Sequence, residues 1–332
     1  MNNKIKLLRV LEILKDTDID HPINTKGIIA KLRSYGINAE RKSIMRDIET
    51  ISLTGEYDIR KAEPNSRGWY MLSRELEDHE LKLIADCIMS GKYLSEKDST
   101  EITQKIIRLA SPSGKELIRS SLISEENRKI CGTHFLDYFS LIIQAIKEKK
   151  KITFRYCEIT VGNKLVHRHN GKIYKVSPYY TVLYENEYFL IANTDGHDNA
   201  SHYRIELMDN VSISDEDAQA VTEISGLNEN GRLIPIEKYL RSSVKLWSGE
   251  IMTVKLRCEN CCRLVIIKNF GSSRISDNSD DTFDISIDVT DTKGFYKFLA
   301  QLGTCVKILS PASAKEAFRG YLHSVLQIYD EE

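Results

Sequence analysis

The sequence predicts a multidomain α+β protein with helical segments first, a small antiparallel barrel in the middle and an α/β unit at the end. Three observations carry this prediction. The chain has 332 residues, more than one hydrophobic core usually organises. Its composition, 41% hydrophobic and 29% charged, is that of a globular protein. Apolar residues recur mostly at helical spacing before Lys147 and alternate in many segments after it.

The first 75 residues predict three helices followed by a β-hairpin. The first helix has a broad apolar stripe, made of Ile5, Leu8, Leu11 and Leu14 and widened by Leu7, Val10 and Ile13. Asn24 or Thr25 caps the second helix, and a third helix runs near Glu40 to Ser52. Short apolar segments on either side of residues 64–68 predict the hairpin. This order is that of a winged helix-turn-helix, predicted over residues 1–75.

The third helix is expected to present cations opposite its core. Its inward stripe consists of Ile44, Ile48 and Ile51. Residues 24–46 contain six Lys or Arg and a single acidic residue. Because such a helix enters the major groove while the hairpin touches phosphates, we expect contacts with duplex DNA. A helical domain with incidental surface cations is the alternative. The predicted DNA-binding residues are Lys26, Arg41, Lys42, Ser43, Met45, Arg46, Lys61 and Arg67.

Residues 76–132 show helical periodicity and no residues that indicate chemistry. We interpret this segment as a helical linker that supports a homodimer, because a dimer matches a two-fold symmetric operator. A packed connector in a monomer would give the same pattern.

Short alternating segments predict a small antiparallel barrel of the Sm/SH3-like kind over residues 133–225. The predicted strands are 152–156, 172–176, 179–184, 187–192 and 201–207. In the last of these, alternation turns Tyr203, Ile205 and Leu207 toward the core. His202, Arg204 and Glu206 are then expected on the opposite, charged face.

A second basic stretch covers residues 147–175, with nine Lys or Arg against two Glu. Cations beside tyrosines combine attraction for phosphate with flat rings on which bases stack. We therefore expect the barrel to bind an anionic effector, either a nucleotide or a single-stranded nucleic acid. The alternative is that the tyrosines are core and that the arginines pair with neighbours such as Glu206. The predicted effector-binding residues are Arg155, Tyr156, His167, Arg168, Tyr180, Tyr188, His202 and Arg204.

The same region resembles the WYL domain. Tyr188-Phe189-Leu190 stands where that family has its Trp-Tyr-Leu triplet, and Tyr203-Arg204-Ile205-Glu206 is similar to its aromatic-Arg-apolar-acid run. Arg155-Tyr156 matches the basic-aromatic step of the family's first strand, although a second family arginine is replaced by Leu207. Residues 41–47 resemble the recognition helix of these proteins, and the C-terminal region resembles the WCX domain that commonly follows. The resemblance implies a bacterial transcription regulator whose barrel binds an effector.

Residues 235–332 predict a ferredoxin-like α/β sandwich, in the order strand, helix, strand, strand, helix, strand, helix. Cys258, Cys261 and Cys262 form half of a zinc-site pattern. A four-ligand structural site needs a second pair, and only Cys305 and the distant His323 remain. We therefore interpret the cysteines as structural thiols and predict no metal site. Their odd number, seven, fits reduced thiols rather than a disulfide framework.

The sequence contains no Gly-x-Gly-x-x-Gly, His-Glu-x-x-His or phosphate-loop motif, so we predict neither catalysis nor a cofactor. An enzyme would have to use His167 or His169 as its acid or base. No long apolar run indicates a membrane partner or signal peptide, and a cytoplasmic location is expected. We predict a homodimeric DNA-binding transcriptional regulator whose barrel senses an anionic ligand. The alternative is an accessory protein that binds single-stranded nucleic acid and modulates a partner enzyme.

Overall fold

Helices and antiparallel sheets both occur in the protein, as the sequence predicts for an α+β chain. The computed structural model describes residues 3–62, 68–122, 134–161, 164–184, 186–225, 227–229, 231–236, 239, 251–272, 274–290 and 293–330. The chain divides into two compact units, residues 1–133 and residues 134–332. No described helix is both long enough and apolar enough to cross a membrane.

The first unit begins with three helices and a two-stranded hairpin. The elements are α1 (Asn3–Lys15), α2 (Thr25–Ser34), α3 (Arg41–Leu53), β1 (Ile59–Lys61) and β2 (Trp69–Met71). Asn24 is the residue that caps α2, because its side-chain oxygen accepts a hydrogen bond from the Gly27 N–H at 2.9 Å. The two strands are antiparallel, with Ile59 opposite Met71.

The core of these helices confirms the predicted stripe of α3 and corrects that of α1. Ile44, Ile48 and Ile51 are buried. In α1 the buried side is Lys6, Val10, Ile13 and Leu14, whereas Ile5 is 52% and Leu8 is 61% exposed. Apolar residues surround most of α1, so periodicity alone did not fix which side faces inward.

Three further helices complete the described part of the first unit, as the helical periodicity of this segment predicts. They are α4 (Asp78–Ser90), α5 (Glu96–Ile107) and α6 (Pro112–Ser121). Their shared core is built from Leu81, Ala85, Ile107, Ala110 and Ile118.

In the second unit a helix precedes a six-stranded antiparallel sheet, called here the central sheet. The elements are α7 (Phe135–Glu148), β3 (Lys150–Thr160), β4 (Lys164–His167), β5 (Ile173–Tyr184), β6 (Glu187–Thr194), β7 (Ala200–Arg204) and β8 (Met208–Asp217). Strand β3 pairs with β4, β5 and β8, and the order continues from β5 through β6 to β7. Phe154, Tyr156 and Tyr203 lie in its core with ring centroids 5.1–6.3 Å apart.

Two predictions for this sheet are wrong in detail. The segments 172–176 and 179–184 form one strand, β5, whose pairing with β6 shifts register between Pro178 and Tyr180. Strand β7 ends at Arg204, and a 3₁₀ turn follows over Ile205–Leu207. Because a 3₁₀ turn advances about 120° per residue instead of alternating, Glu206 is buried and Leu207 is only half-buried.

A later segment covers one face of β5, β6 and β7. It contains the short antiparallel strands β9 (Asn228–Glu229) and β10 (Arg232–Leu233). Ile224, Leu227 and Tyr239 from this segment pack with Val182 and Ile191 of the sheet.

The C-terminal elements follow the predicted order of strands and helices. They are β11 (Ile251–Glu259), α8 (Arg263–Phe270), β12 (Ile275–Asp277), β13 (Thr282–Thr290), α9 (Lys293–Gln301), β14 (Val306–Ser310) and α10 (Ala312–Asp330). The sheet has the order β12-β13-β11-β14, which leaves β14 at one edge. Its core is aromatic and aliphatic, with Phe283, Phe295 and Leu299 fully buried.

Candidate functional site

The outward side of α3 carries cations without acidic partners. Arg41, Lys42 and Arg46 are exposed, and no carboxylate in the described part of the chain forms an ion pair with them. Met45 lies beside them and is 37% exposed. Arg41, Lys42, Met45 and Arg46 are called here the α3 surface. Because their charge is not neutralised, this surface is able to attract a polyanion.

Ser43 is engaged inside the protein. Its hydroxyl accepts a hydrogen bond from Lys6 of α1. Lys6 is only 8% exposed, and its ammonium nitrogen lies 2.9 Å from a carboxylate oxygen of Asp47. This role of Lys6 could not be predicted from the sequence. Lysines are seldom buried unless they are paired, and the partners of Lys6 lie on another helix. The contacts of Lys6 with Ser43 and Asp47 join α1 to α3 and help to determine which side of α3 faces solvent.

Two other predicted DNA contacts are also open to solvent. Lys26 in the first turn of α2 and Lys61 at the end of β1 are exposed and have no acidic partner among the described residues. Arg60, next to Lys61, is instead paired with Asp58 at 2.7 Å. The remaining predicted contact, Arg67, lies outside the described residues.

Arg204, by contrast, is held between two carboxylates. Its guanidinium lies 2.7 Å from Glu187 and 2.7 Å from Glu206. The Glu206 side chain is 3% exposed, and one of its oxygens has no hydrogen-bond partner within the described residues. Burial raises the pKa of Glu206, and the charge of Arg204 opposes that rise. An anion that approaches Arg204 therefore meets a cation already neutralised.

Tyr156 connects the core of the central sheet to Arg204. Its hydroxyl accepts a hydrogen bond from the backbone N–H of Arg204 at 3.1 Å. Burial raises the pKa of Tyr156 to about 12, although that hydrogen bond and the charges of Arg204 and Arg168 act in the opposite direction. The structure thus places the Tyr156 hydroxyl against the backbone of Arg204 at the end of β7.

The other predicted effector residues on β3 and β4 differ in their partners. Arg155 donates a hydrogen bond to the Gly171 carbonyl at 3.3 Å and has no acidic partner among the described residues. His167 lies 2.7 Å from Asp209, and Arg168 lies 3.5 Å from Glu158. Burial raises the pKa of Asp209, but its hydrogen bonds from His167, Tyr138 and the Asn210 N–H outweigh burial and hold that pKa below its ordinary value.

Three of the seven lysines of the same basic stretch are paired with carboxylates as well. Lys150 lies 2.8 Å from Asp217 on β8. Lys151 lies 2.9 Å from Asp195, and Lys175 lies 2.5 Å from Glu216. None of these carboxylates belongs to residues 147–175, so contacts with other strands reduce the excess of positive charge counted along the sequence.

Three further predicted effector residues contact other parts of the second unit. Tyr180 donates a hydrogen bond to the Ile234 carbonyl at 3.2 Å, and His202 lies 2.8 Å from the Tyr239 hydroxyl. Both therefore face the segment that covers β5, β6 and β7. Tyr188 packs against Phe135 and Phe139 of α7, with ring centroids 5.8 and 5.1 Å away. Burial lowers the pKa of His202 to about 4.

Comparison with known proteins confirms the predicted resemblance for the central region. Residues 137–213 match the WYL domain family. Among solved structures, proteasome accessory factor B/C (PafBC) of Arthrobacter aurescens is 16% identical, and the match covers 98% of this chain and 49% of that one with a TM-score of 0.27. The chain thus spans about half the length of PafBC. No curated protein matches the sequence.

Proposed function

We propose, from the match of residues 137–213 to the WYL domain family, that the protein is a DNA-binding transcriptional regulator whose WYL domain senses an anionic ligand. In this proposal residues 1–75 form a winged helix-turn-helix and residues 76–132 a helical linker. Residues 133–225 form the Sm/SH3-like barrel, and residues 235–332 a ferredoxin-like WCX domain. The α3 surface carries the proposal, because its cations are exposed and unpaired within the described chain.

The α3 surface fits a duplex better than a small anion. Its cations stand on consecutive turns of a helix whose opposite side is buried, so the whole helix edge is available to a groove. Exposed cations bind phosphate with little desolvation cost, and the release of counterions from the DNA favours binding. Lys26 and Lys61 supply further exposed positive charge.

The sensing site is proposed at Arg204 and Arg168, with Arg155 of β3 as a separate contact for the anion. A phosphate at Arg204 has to replace Glu187 or Glu206, whose carboxylates occupy the guanidinium. Such an exchange would transmit ligand binding into β6 and the 3₁₀ turn after β7, because the two glutamates belong to those elements. Arg155 requires no such exchange, since its side chain is bound only by the Gly171 carbonyl among the described residues.

The proposed regulator acts as a homodimer in the cytoplasm and catalyses no reaction. A dimer would place two α3 surfaces on a two-fold symmetric operator. Ligand binding would then change operator affinity through a coupling between two distinct sites.

Sequencing the DNA that co-purifies with the full chain tests the DNA-binding part. We expect a recurring, two-fold symmetric duplex sequence, and purified protein should bind that duplex more tightly than either separated strand. Preference for the single strands over every recovered duplex would reject the proposal in favour of a single-stranded nucleic-acid accessory protein.

The sensing part is tested by Arg155→Ala, with Lys164→Ala on the exposed strand β4 as the matched control. We expect Arg155→Ala to remove the response of operator binding to nucleotides or short single strands while leaving basal operator binding intact. An equal response in both variants would exclude Arg155 from the site.

A further inference from the structure

We propose that Glu259, Cys261 and Cys305 form a Zn²⁺ site at the edge of the C-terminal sheet, with two thiolates, one carboxylate and one position open to water. The proposal is independent of DNA binding and of ligand sensing. It concerns a different region of the second unit from the WYL domain.

The sheet register brings these residues together. Cys258 of β11 is paired with Val306 of β14 in antiparallel register. Glu259 follows Cys258 at the end of β11, and Cys305 immediately precedes Val306 at the end of a 3₁₀ turn, so the two lie at the same end of the strand pair. A 3₁₀ turn over Asn260–Cys262 then folds the chain back and returns Cys261 to the same place.

The distances suit a tetrahedral ion. Zn–S bonds of about 2.3 Å and Zn–O bonds of about 2.1 Å require ligand atoms roughly 3.6–3.8 Å apart. The Cys261 sulfur lies 3.7 Å from a Glu259 carboxylate oxygen. One ligand atom from each of Glu259, Cys261 and Cys305 lies within 4.8 Å of the other two. An ion therefore needs only small side-chain rotations to complete the site.

The surroundings hold the backbone and leave the ligands accessible. The sulfur of buried Cys262 lies 3.1 Å from the Glu259 carbonyl oxygen and 3.6 Å from the Cys305 carbonyl oxygen, which fixes the turn against the start of β14. Glu259 and Cys261 are exposed, and Glu259 forms no ion pair in the described part of the chain. Two thiols and a carboxylate without a cationic neighbour form a donor set that favours zinc over magnesium or calcium.

This site differs from the four-ligand zinc site considered from the sequence. Cys258 is 1% and Cys262 is 6% exposed, and both belong to the hydrophobic core rather than to the ligand set. A three-residue site with an exposed fourth position needs no second cysteine pair. Binding would fasten the edge strand β14 to the turn after β11.

Zn²⁺ titration of the reduced, metal-free full chain against a chromophoric chelator tests the proposal. We expect one Zn²⁺ per chain, and Co²⁺ in its place should give thiolate-to-metal charge-transfer absorption. Cys261→Ser and Cys305→Ser should each weaken binding by more than the roughly 10- to 100-fold that loss of an outer contact costs. Glu259→Gln should weaken it less.

Cys87→Ser and Cys131→Ser are the matched controls, because each removes a thiol far along the sequence from the site, and both should bind Zn²⁺ as the unaltered chain does. Circular dichroism checks that each variant is folded. The proposal is overturned by absence of stoichiometric binding, by an equal loss in either control, or by a Cys261–Cys305 disulfide that persists in reductant and blocks the metal.

Discussion

Two basic regions that look alike in the sequence differ in the folded protein. The cations of α3 remain unpaired within the described chain, whereas Lys150, Lys151 and Lys175 of residues 147–175 contact carboxylates. On a helix the neighbours of a side chain are three or four residues away, so a charge count along the sequence estimates the local field. In a sheet the neighbours come from other strands, and the same count omits them.

The largest expected effect is on DNA binding. Replacing Lys42 and Arg46 with alanine should lower duplex affinity by about 2 kcal/mol or more and reduce the salt slope by roughly 2, because two phosphate contacts are lost. Filter binding or fluorescence anisotropy at several salt concentrations measures both quantities.

The double variant Lys151→Ala, Lys175→Ala is the matched control, since it removes the same charge from the central sheet. It should leave duplex affinity almost unchanged. If both double variants weaken binding equally, the contrast between the two regions does not describe the DNA interface.

The second effect is a loss of protein stability when Arg204 is replaced. Arg204→Ala leaves the buried carboxylate of Glu206 without its cation and should lower the free energy of unfolding by about 1–3 kcal/mol. Urea unfolding followed by circular dichroism measures the loss. Adding Glu206→Gln should recover part of it, because a neutral side chain needs no cation. Absence of that recovery would mean that the ion pair is not what Arg204 contributes.

The third effect is a pH dependence from His202. Its pKa is about 4 in the folded protein against 6.5 for an unperturbed histidine. Because the folded value is the lower one, the contribution of His202 to stability is complete above pH 6.5 and is lost as the pH falls toward 4. Unfolding measured across this window should show a shallower loss for His202→Gln, while His197→Gln on the exposed turn should behave as the unaltered protein.

The smallest effect is expected for Lys175→Ala. Both side chains of its ion pair with Glu216 are exposed. Such pairs contribute little to stability because water and salt screen them. Thermal unfolding should be unchanged within error. A clear fall in Tm would show that the carboxylates around Lys151 and Lys175 act as a network.

The sequence predicted the parts of the molecule that depend on near neighbours. The isoleucine stripe of α3 and the Asn24 cap both follow from residues within one or two turns. Pairing of an arginine with Glu206 was the alternative considered from the sequence, and Arg204 does contact it. The burial of Glu206 and the contact of Arg204 with Glu187 did not follow, because a 3₁₀ turn and another strand create them. His202 was expected on an open charged face, yet Tyr239, far along the chain, lies beside it.

Cys305 shows the same limit in the C-terminal sheet. Cys305 and Cys261 are far apart along the sequence, so their proximity could not be predicted from spacing. It depends on the pairing of β11 with β14.

Strand β3 also has a consequence for synthesis on the ribosome. Its partner β8 begins at Met208, so at roughly 5–20 residues per second one edge of β3 waits several seconds for its neighbour to emerge. During that interval we expect Lys150 and Lys151 to discourage pairing with other nascent chains, because charged side chains at a strand edge oppose aggregation. The two lysines would then limit aggregation of the nascent chain, in addition to forming ion pairs in the folded protein.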